Sequence, residues 1–148
     1  MNLMETEIQL LKKSNYNSPI QDKYETWYNR KEYWKDIQVR HKLTEKFIVR
    51  FAPYLDFQLM SSTQNLSEAL IEKFKDRVDW HDICMVQELQ ETFIEKHEDE
   101  VDWEMISQYQ DLSRSFLLRN RWKLNWSNVF RNQKISDNIK TSLINSME

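Results

Sequence analysis

The side chains that most often do chemistry are few in this sequence. Its 148 residues include three histidines, His41, His81 and His97, and one cysteine, Cys84. His81 and Cys84 are three residues apart, which would place them on one face of a helix. A zinc site needs about four ligands, and no second histidine or cysteine pair lies near these two. The H-E-x-x-H motif is absent too, so we interpret them as core or surface residues and expect no metal.

A cluster of carboxylates is the second feature that could do chemistry. The segment KHEDEVDWE, residues 96–104, contains Glu98, Asp99, Glu100, Asp102 and Glu104. It lacks the glycine and the oxygen-ligand spacing of an EF-hand. Acid–base catalysis needs carboxylates that are buried in a cleft, whereas a segment this polar is typical of a solvated turn.

The composition excludes further kinds of site. The chain has no glycine and only two prolines, Pro19 and Pro53, although about 7% glycine is usual. Phosphate-binding loops, dinucleotide-binding turns and nucleophile elbows need glycine, which adopts positive φ freely and lets a ligand approach the backbone. We therefore expect an all-α protein without a β-sheet, with no enzymatic activity, no cofactor and no small-molecule substrate.

The remaining composition indicates a cytoplasmic protein. Apolar residues make up 40% of the chain, which is enough to bury a core. No apolar run reaches the roughly 18 residues that a membrane span needs, and the N-terminus has no signal-peptide pattern. A single cysteine excludes an internal disulfide.

Charge is distributed unevenly along the chain. Residues 1–53 carry a net charge of +3, residues 54–111 of −11 and residues 112–148 of +5. Such a middle segment is either a solvated acidic face or a docking surface for a basic partner. The candidate contact residues are five acids, Glu95, Glu98, Asp99, Glu100 and Glu104. A second candidate surface is basic: Arg114, Arg119, Arg121 and Lys123, with Trp122 and Trp126 interleaved.

An internal repeat of 23 residues is the strongest pattern in the sequence. It links Trp34, Phe57, Trp80, Trp103 and Trp126. It also links Leu43, Leu66, Leu89, Leu112 and Ile135, and several further apolar columns. A glutamine column contains Gln64, Gln87, Gln110 and Gln133. We interpret the tryptophan column mostly as core between repeats, and the glutamines either as ties between repeat backbones or as solvated helix ends.

Each repeat is expected to form two short helices. Residues 66–77 typify the longer helix, with Leu66, Leu70 and Phe74 on one face and Ser67 as N-cap. Residues 78–87 typify the shorter helix, with Asp79 as N-cap. Helices this short need neighbours, and stacked copies of the unit supply them.

These patterns predict one domain, residues 1–148, built as a compact helical repeat array of paired short helices. Residues 1–19 are expected to form an N-terminal cap, residues 20–140 about five repeats, and residues 141–148 a C-terminal tail. Pro53 falls between helices and should lie in a turn.

The pattern VDWxxIxxxQxLSxxFI resembles tandem short helical repeats in proteins of large DNA viruses and bacteriophages. It is carried by Val101, Asp102, Trp103, Ile106, Gln110, Leu112, Ser113 and Phe116. One repeat earlier it is carried by Val78, Asp79, Trp80, Ile83, Gln87, Leu89, Phe93 and Ile94. The resemblance covers roughly residues 30–140 and implies a helical array in a viral or phage setting. It implies no chemistry.

The expected function is that of a non-enzymatic protein-binding module. The resemblance adds that it would be a viral or phage accessory protein, located in the host cytoplasm, that binds and inhibits or modulates a host protein. Two alternatives stay open: a nucleic-acid mimic acting through its acidic middle, and a structural protein that assembles with copies of itself. Direct nucleic-acid binding is disfavoured, because the acidic middle would repel a duplex.

Overall fold

The computed structural model describes residues 31–147, apart from the side chain of Tyr33. The chain divides into two compact units, Met1–Asp56 and Phe57–Glu148. In the described residues every regular element is a helix, as predicted, and there is no strand. The first unit contains α1 (Lys31–Arg40), α2 (Glu45–Phe51) and a 3₁₀ helix (Ala52–Tyr54). The second contains α3 (Phe57–Thr63), α4 (Glu68–Lys73), α5 (Trp80–Val86), α6 (Glu91–Lys96), α7 (Trp103–Tyr109), α8 (Arg114–Arg119), α9 (Trp126–Arg131) and α10 (Asp137–Met147).

The helix boundaries repeat with the period of the sequence. The odd-numbered helices from α3 to α9 begin at Phe57, Trp80, Trp103 and Trp126, 23 residues apart. The even-numbered helices begin with the same spacing, at Glu45, Glu68, Glu91, Arg114 and Asp137. In the second unit the odd-numbered helices pack in a row, α3 on α5, α5 on α7 and α7 on α9.

The helix expected over residues 66–77 is shorter than predicted. It spans only Glu68–Lys73, because Phe74 leaves the helical backbone angles, with φ −117° and ψ 26°. The Phe74 N–H bonds to the carbonyls of Leu70 and Ile71 and closes the last turn. Residues 74–79 then form a polar turn that leads into α5.

The predicted N-caps are confirmed. The hydroxyls of Thr44, Ser67 and Ser113 each accept a hydrogen bond from the N–H three residues later. Asp79, Asp102 and Asn125 cap α5, α7 and α9 in the same way. Such a cap contributes about 1 kcal/mol to helix stability, which matters for helices of six or seven residues.

The apolar columns form the core of the array. Ile71, Ile94 and Leu117 are fully buried at successive repeats of one position of the even-numbered helices. Met60, Ile83, Ile106 and Val129 are fully buried at one position of the odd-numbered helices. Each of these repeats therefore presents the same apolar face, and the neighbouring repeats cover it.

The first unit has an aromatic cluster in its described part. Trp34 stacks on Tyr54 at 5.2 Å between ring centroids and also contacts Phe47 and Phe51. Pro53 lies in the 3₁₀ helix that brings Tyr54 to Trp34, so its predicted place in a turn is confirmed.

The predicted ends of the chain have different outcomes. The expected cap, residues 1–19, and the start of the first repeat lie outside the described residues, and the single domain stays a prediction. The expected tail, from residue 141, belongs to α10, which continues to Met147. Among the described residues no helix has the length and apolar character that crossing a membrane requires.

Candidate functional site

The glutamine column ties successive repeats together. The side-chain Nε2 of Gln87 donates to the carbonyls of Ser61 (2.9 Å) and Gln64 (2.8 Å), and its Oε1 accepts from the N–H of Leu66 (3.0 Å). One repeat later, Gln110 makes the same three bonds to Cys84 O, Gln87 O and Leu89 N. Both side chains are buried. Of the two predicted interpretations, the tie between repeat backbones is confirmed for these residues.

These ties also end the odd-numbered helices. The last carbonyls of a helix have no partner inside it and usually meet a glycine-based cap with positive φ. No described residue has positive φ. Instead Gln87 reaches back to the last carbonyls of α3, and Gln110 to those of α5. A partner from the next repeat thus replaces glycine at these ends.

At the last junction the tie comes from a different residue than predicted. Asn132, and not Gln133, is buried and donates to the carbonyls of Ser107 (3.1 Å) and Gln110 (2.8 Å). Its Oδ1 accepts from the N–H of Lys134, two residues later in the same loop. The Oε1 atoms of Gln87 and Gln110 instead accept from an N–H of the preceding repeat. Gln133 is exposed.

A second column of ties explains the single cysteine. Ser61 and Ser107 each accept, through Oγ, the N–H of the N-cap residue of the next odd-numbered helix. Cys84 occupies the equivalent place, and its Sγ accepts from the N–H of Asp102 at 3.3 Å. Burial raises the pKa of the Cys84 thiol to about 12, so the nucleophilic and metal-binding thiolate is not populated near neutral pH.

His81 does not join Cys84 in a site. Its Nδ1 lies 2.8 Å from Asp102 Oδ2, and this hydrogen bond raises the pKa of His81. Asp102 also caps α7 through its other oxygen. No group of three or more possible metal ligands occurs among the described residues.

The tryptophan column is only partly core. Trp34 and Phe57 are buried, whereas Trp80, Trp103 and Trp126 are half-buried. The indole N–H of these three bonds to the carbonyl five residues earlier, at 3.0 to 3.2 Å. The rings of Trp80 and Trp103 pack on Phe93 and Phe116 of the following helices, whereas the ring of Trp126 contacts Phe130 of its own helix.

The two predicted docking surfaces are not separate, because their charges pair with each other. Glu95 Oε1 accepts hydrogen bonds from Arg119 and from Asn120, at 3.1 to 3.2 Å. The bond from Asn120, together with the Arg119 charge, lowers the pKa of Glu95. Glu98 forms an ion pair with Lys123. Two of the five predicted acids are therefore paired with residues of the basic segment that follows them.

An equivalent ion pair between successive repeats exists one repeat earlier. Glu72 Oε2 contacts Lys96 Nζ at 2.8 Å and His97 Nε2 at 2.7 Å. His97 takes the place of Asn120 and is buried between the rings of Trp80 and Phe93. The hydrogen bond from Lys96, followed by that from His97, lowers the pKa of Glu72.

The remaining predicted residues lie at several places on the second unit. Asp99, Glu104 and Arg121 are exposed and have no ion pair with another described residue. Glu100 Oε2 lies 3.7 Å from His97 Nδ1. Arg114 begins α8 and donates to Ser142 Oγ at 2.7 Å, away from the turn of Asp99.

Three polar turns follow α4, α6 and α8, and we call their exposed residues the turn edge. It consists of residues 75–77 (Lys, Asp, Arg), 98–100 (Glu, Asp, Glu) and 121–123 (Arg, Trp, Lys). The ion pair between Glu98 and Lys123 joins the second turn to the third. Trp122 is 86% exposed, and the Arg121 guanidinium lies 5.0 Å from the centre of its ring.

Trp122 was predicted only as an aromatic residue interleaved with the basic surface, and not as a contact residue. It occupies the repeat position held by Asp76 and Asp99. The replacement of aspartate in the two preceding repeats by tryptophan is a signal that the repeat alignment contains. Tryptophan and arginine are the residues most enriched at the energetic centres of protein interfaces, so the turn edge around Trp122 is the candidate site.

Two open grooves lie at the loops that the glutamines tie. One, of about 390 Å³, is lined by residues 62–65 and 86–88. The next, of about 530 Å³, is lined by residues 88–91 and 110–113 with Lys134 and Ile139. Gln87 lines the first groove and Gln110 the second. The side-chain amides of both residues already bond to backbone groups, so they are not available to bind a ligand in these grooves.

The chain matches no protein-family model, no curated protein and no solved structure.

Proposed function

We infer that this chain is a protein-binding module whose contact surface is the turn edge around Trp122. The single observation that carries this function is the 86% exposure of Trp122 on a scaffold whose other tryptophans are buried or half-buried wherever the structure describes them. Trp122 with Arg121 on its ring joins two of the residue types that are enriched at the energetic centres of protein interfaces.

The scaffold supports this role because it holds the turn rigidly. Asn120, at the start of the turn, is buried and bonds to Glu95 and to the carbonyl of Phe116. The carbonyl of Arg121 accepts the indole N–H of Trp126 at 3.0 Å. Trp122 thus projects from a backbone that is fixed on both sides, and such preorganisation lowers the entropic cost of binding.

The nucleic-acid mimic is less well supported. A mimic needs a row of unpaired carboxylates, but Glu95 and Glu98 are paired with Arg119 and Lys123. The resemblance to viral and phage repeats adds a host protein as the expected partner, and inhibition of that host protein stays a prediction.

Site-specific photo-crosslinking tests the proposed function. A photoreactive phenylalanine analogue is introduced at position 122, and in a matched chain at position 86, where Val86 is also exposed but lines a groove at the loops tied by glutamine. After irradiation in living bacterial cells, we expect protein adducts from position 122 and few from position 86. Equal adducts from both positions, or none from position 122, would contradict the proposal.

A further inference from the structure

Charge along the turn edge changes sign from one turn to the next. The second turn, Glu98–Glu100, has three acids, and the third, Arg121–Lys123, has two bases around Trp122. The turns are neighbours, because Glu98 pairs with Lys123. An acidic patch and a basic aromatic patch of similar size thus lie side by side.

Only some of the charged residues in these two turns form ion pairs within the chain. Asp99 and Arg121 have no ion pair with another described residue, and Glu100 has only its 3.7 Å approach to His97. The Arg121 guanidinium rests on Trp122 instead. One surface therefore offers unpaired charges of both signs next to an exposed indole.

We propose that the turn edge binds the turn edge of a second copy of this chain. The inference rests on the proposed function, because it names the partner of the same surface. A two-fold axis between the two turns places the acidic turn of each copy against the basic turn of the other. The charges of each acidic turn then face those of the other copy's basic turn, and every contact occurs twice, as in any isologous dimer.

The contact is expected to be weak and salt-dependent. Two turns bury less than the roughly 800 Å² per partner of a standard interface. Exposed ion pairs contribute little and are screened by salt. The dimer therefore forms at high protein concentration and low ionic strength, with Trp122 as its main apolar contact.

Sedimentation velocity of the full chain tests this inference. At 50 mM salt we expect a concentration-dependent shift from monomer to dimer, and at 500 mM salt a dissociation constant at least tenfold higher. Trp122→Ala should also weaken the dimer at least tenfold. Arg131→Glu makes the same charge change as Arg121→Glu at an exposed residue of α9 outside the turn edge, and it should leave the dimer unchanged.

Exchanging one charge on each turn tests whether the acidic turn of one copy faces the basic turn of the other. Arg121→Glu alone places acid against acid in the dimer, and Glu100→Arg alone places base against base, so each variant should be monomeric. Mixed together, the two variants should form a heterodimer, because both contacts then join opposite charges. Circular dichroism of each variant establishes that it is folded before sedimentation.

Three results would overturn the inference: a monomer at every concentration in 50 mM salt, a dimer that Trp122→Ala leaves intact, or a mixture that stays monomeric. The crosslink at position 122 separates this failure from that of the proposed function. Adducts with other proteins and none with a second copy would contradict only the self-pairing, whereas the absence of any adduct would contradict both.

Discussion

The side-chain Nε2 of Gln87 donates a hydrogen bond to the backbone carbonyl of Gln64, its equivalent one repeat earlier, at 2.8 Å. The bond is buried and spans 23 residues. Gln110 makes the same bond to the carbonyl of Gln87. Each of these two glutamines thus caps the preceding repeat, which is how α3 and α5 end without glycine.

Replacing Gln87 should destabilise the protein strongly. Gln87→Leu keeps the volume but leaves the Leu66 N–H and the carbonyls of Ser61 and Gln64 without their partner. An unsatisfied buried polar group costs about 1–3 kcal/mol, so we expect a loss of about 3 kcal/mol in the free energy of unfolding. Urea unfolding followed by circular dichroism measures it.

The matched control for this prediction is Gln133→Leu. Gln133 is exposed, and a surface substitution of this kind changes stability by no more than about 0.5 kcal/mol. Equal effects of the two substitutions would show that the amide ties carry no particular share of the stability.

Cys84 should tolerate serine but not valine. Serine already accepts the equivalent N–H at Ser61 and Ser107, so Cys84→Ser should stay within about 1 kcal/mol of the natural protein. Cys84→Val has similar volume but no acceptor for Asp102 N, and we expect a loss of about 1–3 kcal/mol. If thermal unfolding gives both variants the same stability, the tie between Cys84 and Asp102 is energetically irrelevant.

The His81–Asp102 pair should make stability depend on pH. The pKa of His81 is raised by the bond to Asp102, so its contribution is complete below the ordinary value of 6.5 and is lost as pH rises through the raised value. Burial raises the pKa of Asp102, but bonds from His81 and from the N–H groups of Met105 and Glu104 outweigh it and lower the pKa. The Asp102 contribution is therefore lost only in strong acid.

Urea unfolding between pH 5 and 9 tests this sign. The stability difference between the natural protein and His81→Gln should be largest near pH 5 and should shrink toward pH 9. Asp102→Asn keeps an N-cap of the type that Asn125 supplies and removes the charge. In that background His81→Gln should lose most of its pH dependence, with a small remainder from the nearby charges of Asp79 and Asp82. An undiminished dependence would assign it to another group.

Trp122 and Trp103 should differ in what they do. Trp122→Ala removes an exposed ring and should change the free energy of unfolding by less than about 0.5 kcal/mol. Trp103→Ala removes the packing on Phe116 and the bond to the carbonyl of Glu98, and we expect a loss of about 2 kcal/mol, below that of a fully buried tryptophan. Iodide quenching should also show a smaller accessible fraction of fluorescence in Trp122→Ala than in Trp103→Ala.

Much of the local structure was predictable because it depends on neighbouring residues. The 23-residue period, the N-caps Ser67 and Asp102, and the buried column that contains Ile83 all follow from the order of residue types along one helix. The candidate site was predictable only in part. Glu98 and Lys123 were both singled out, but as members of two surfaces, since their 25-residue separation does not show that they meet.

The sequence by itself determined an all-helical repeat, because a chain without glycine and with apolar residues at fixed spacing has few other ways to bury them. The tertiary structure decided which side chains bond to a neighbouring repeat and which remain exposed to solvent. Gln87, Cys84 and Glu95 bond to groups in an adjacent repeat, whereas Trp122 is left in solvent. Such pairings depend on how one repeat is placed on the next, and spacing along the chain does not specify that placement.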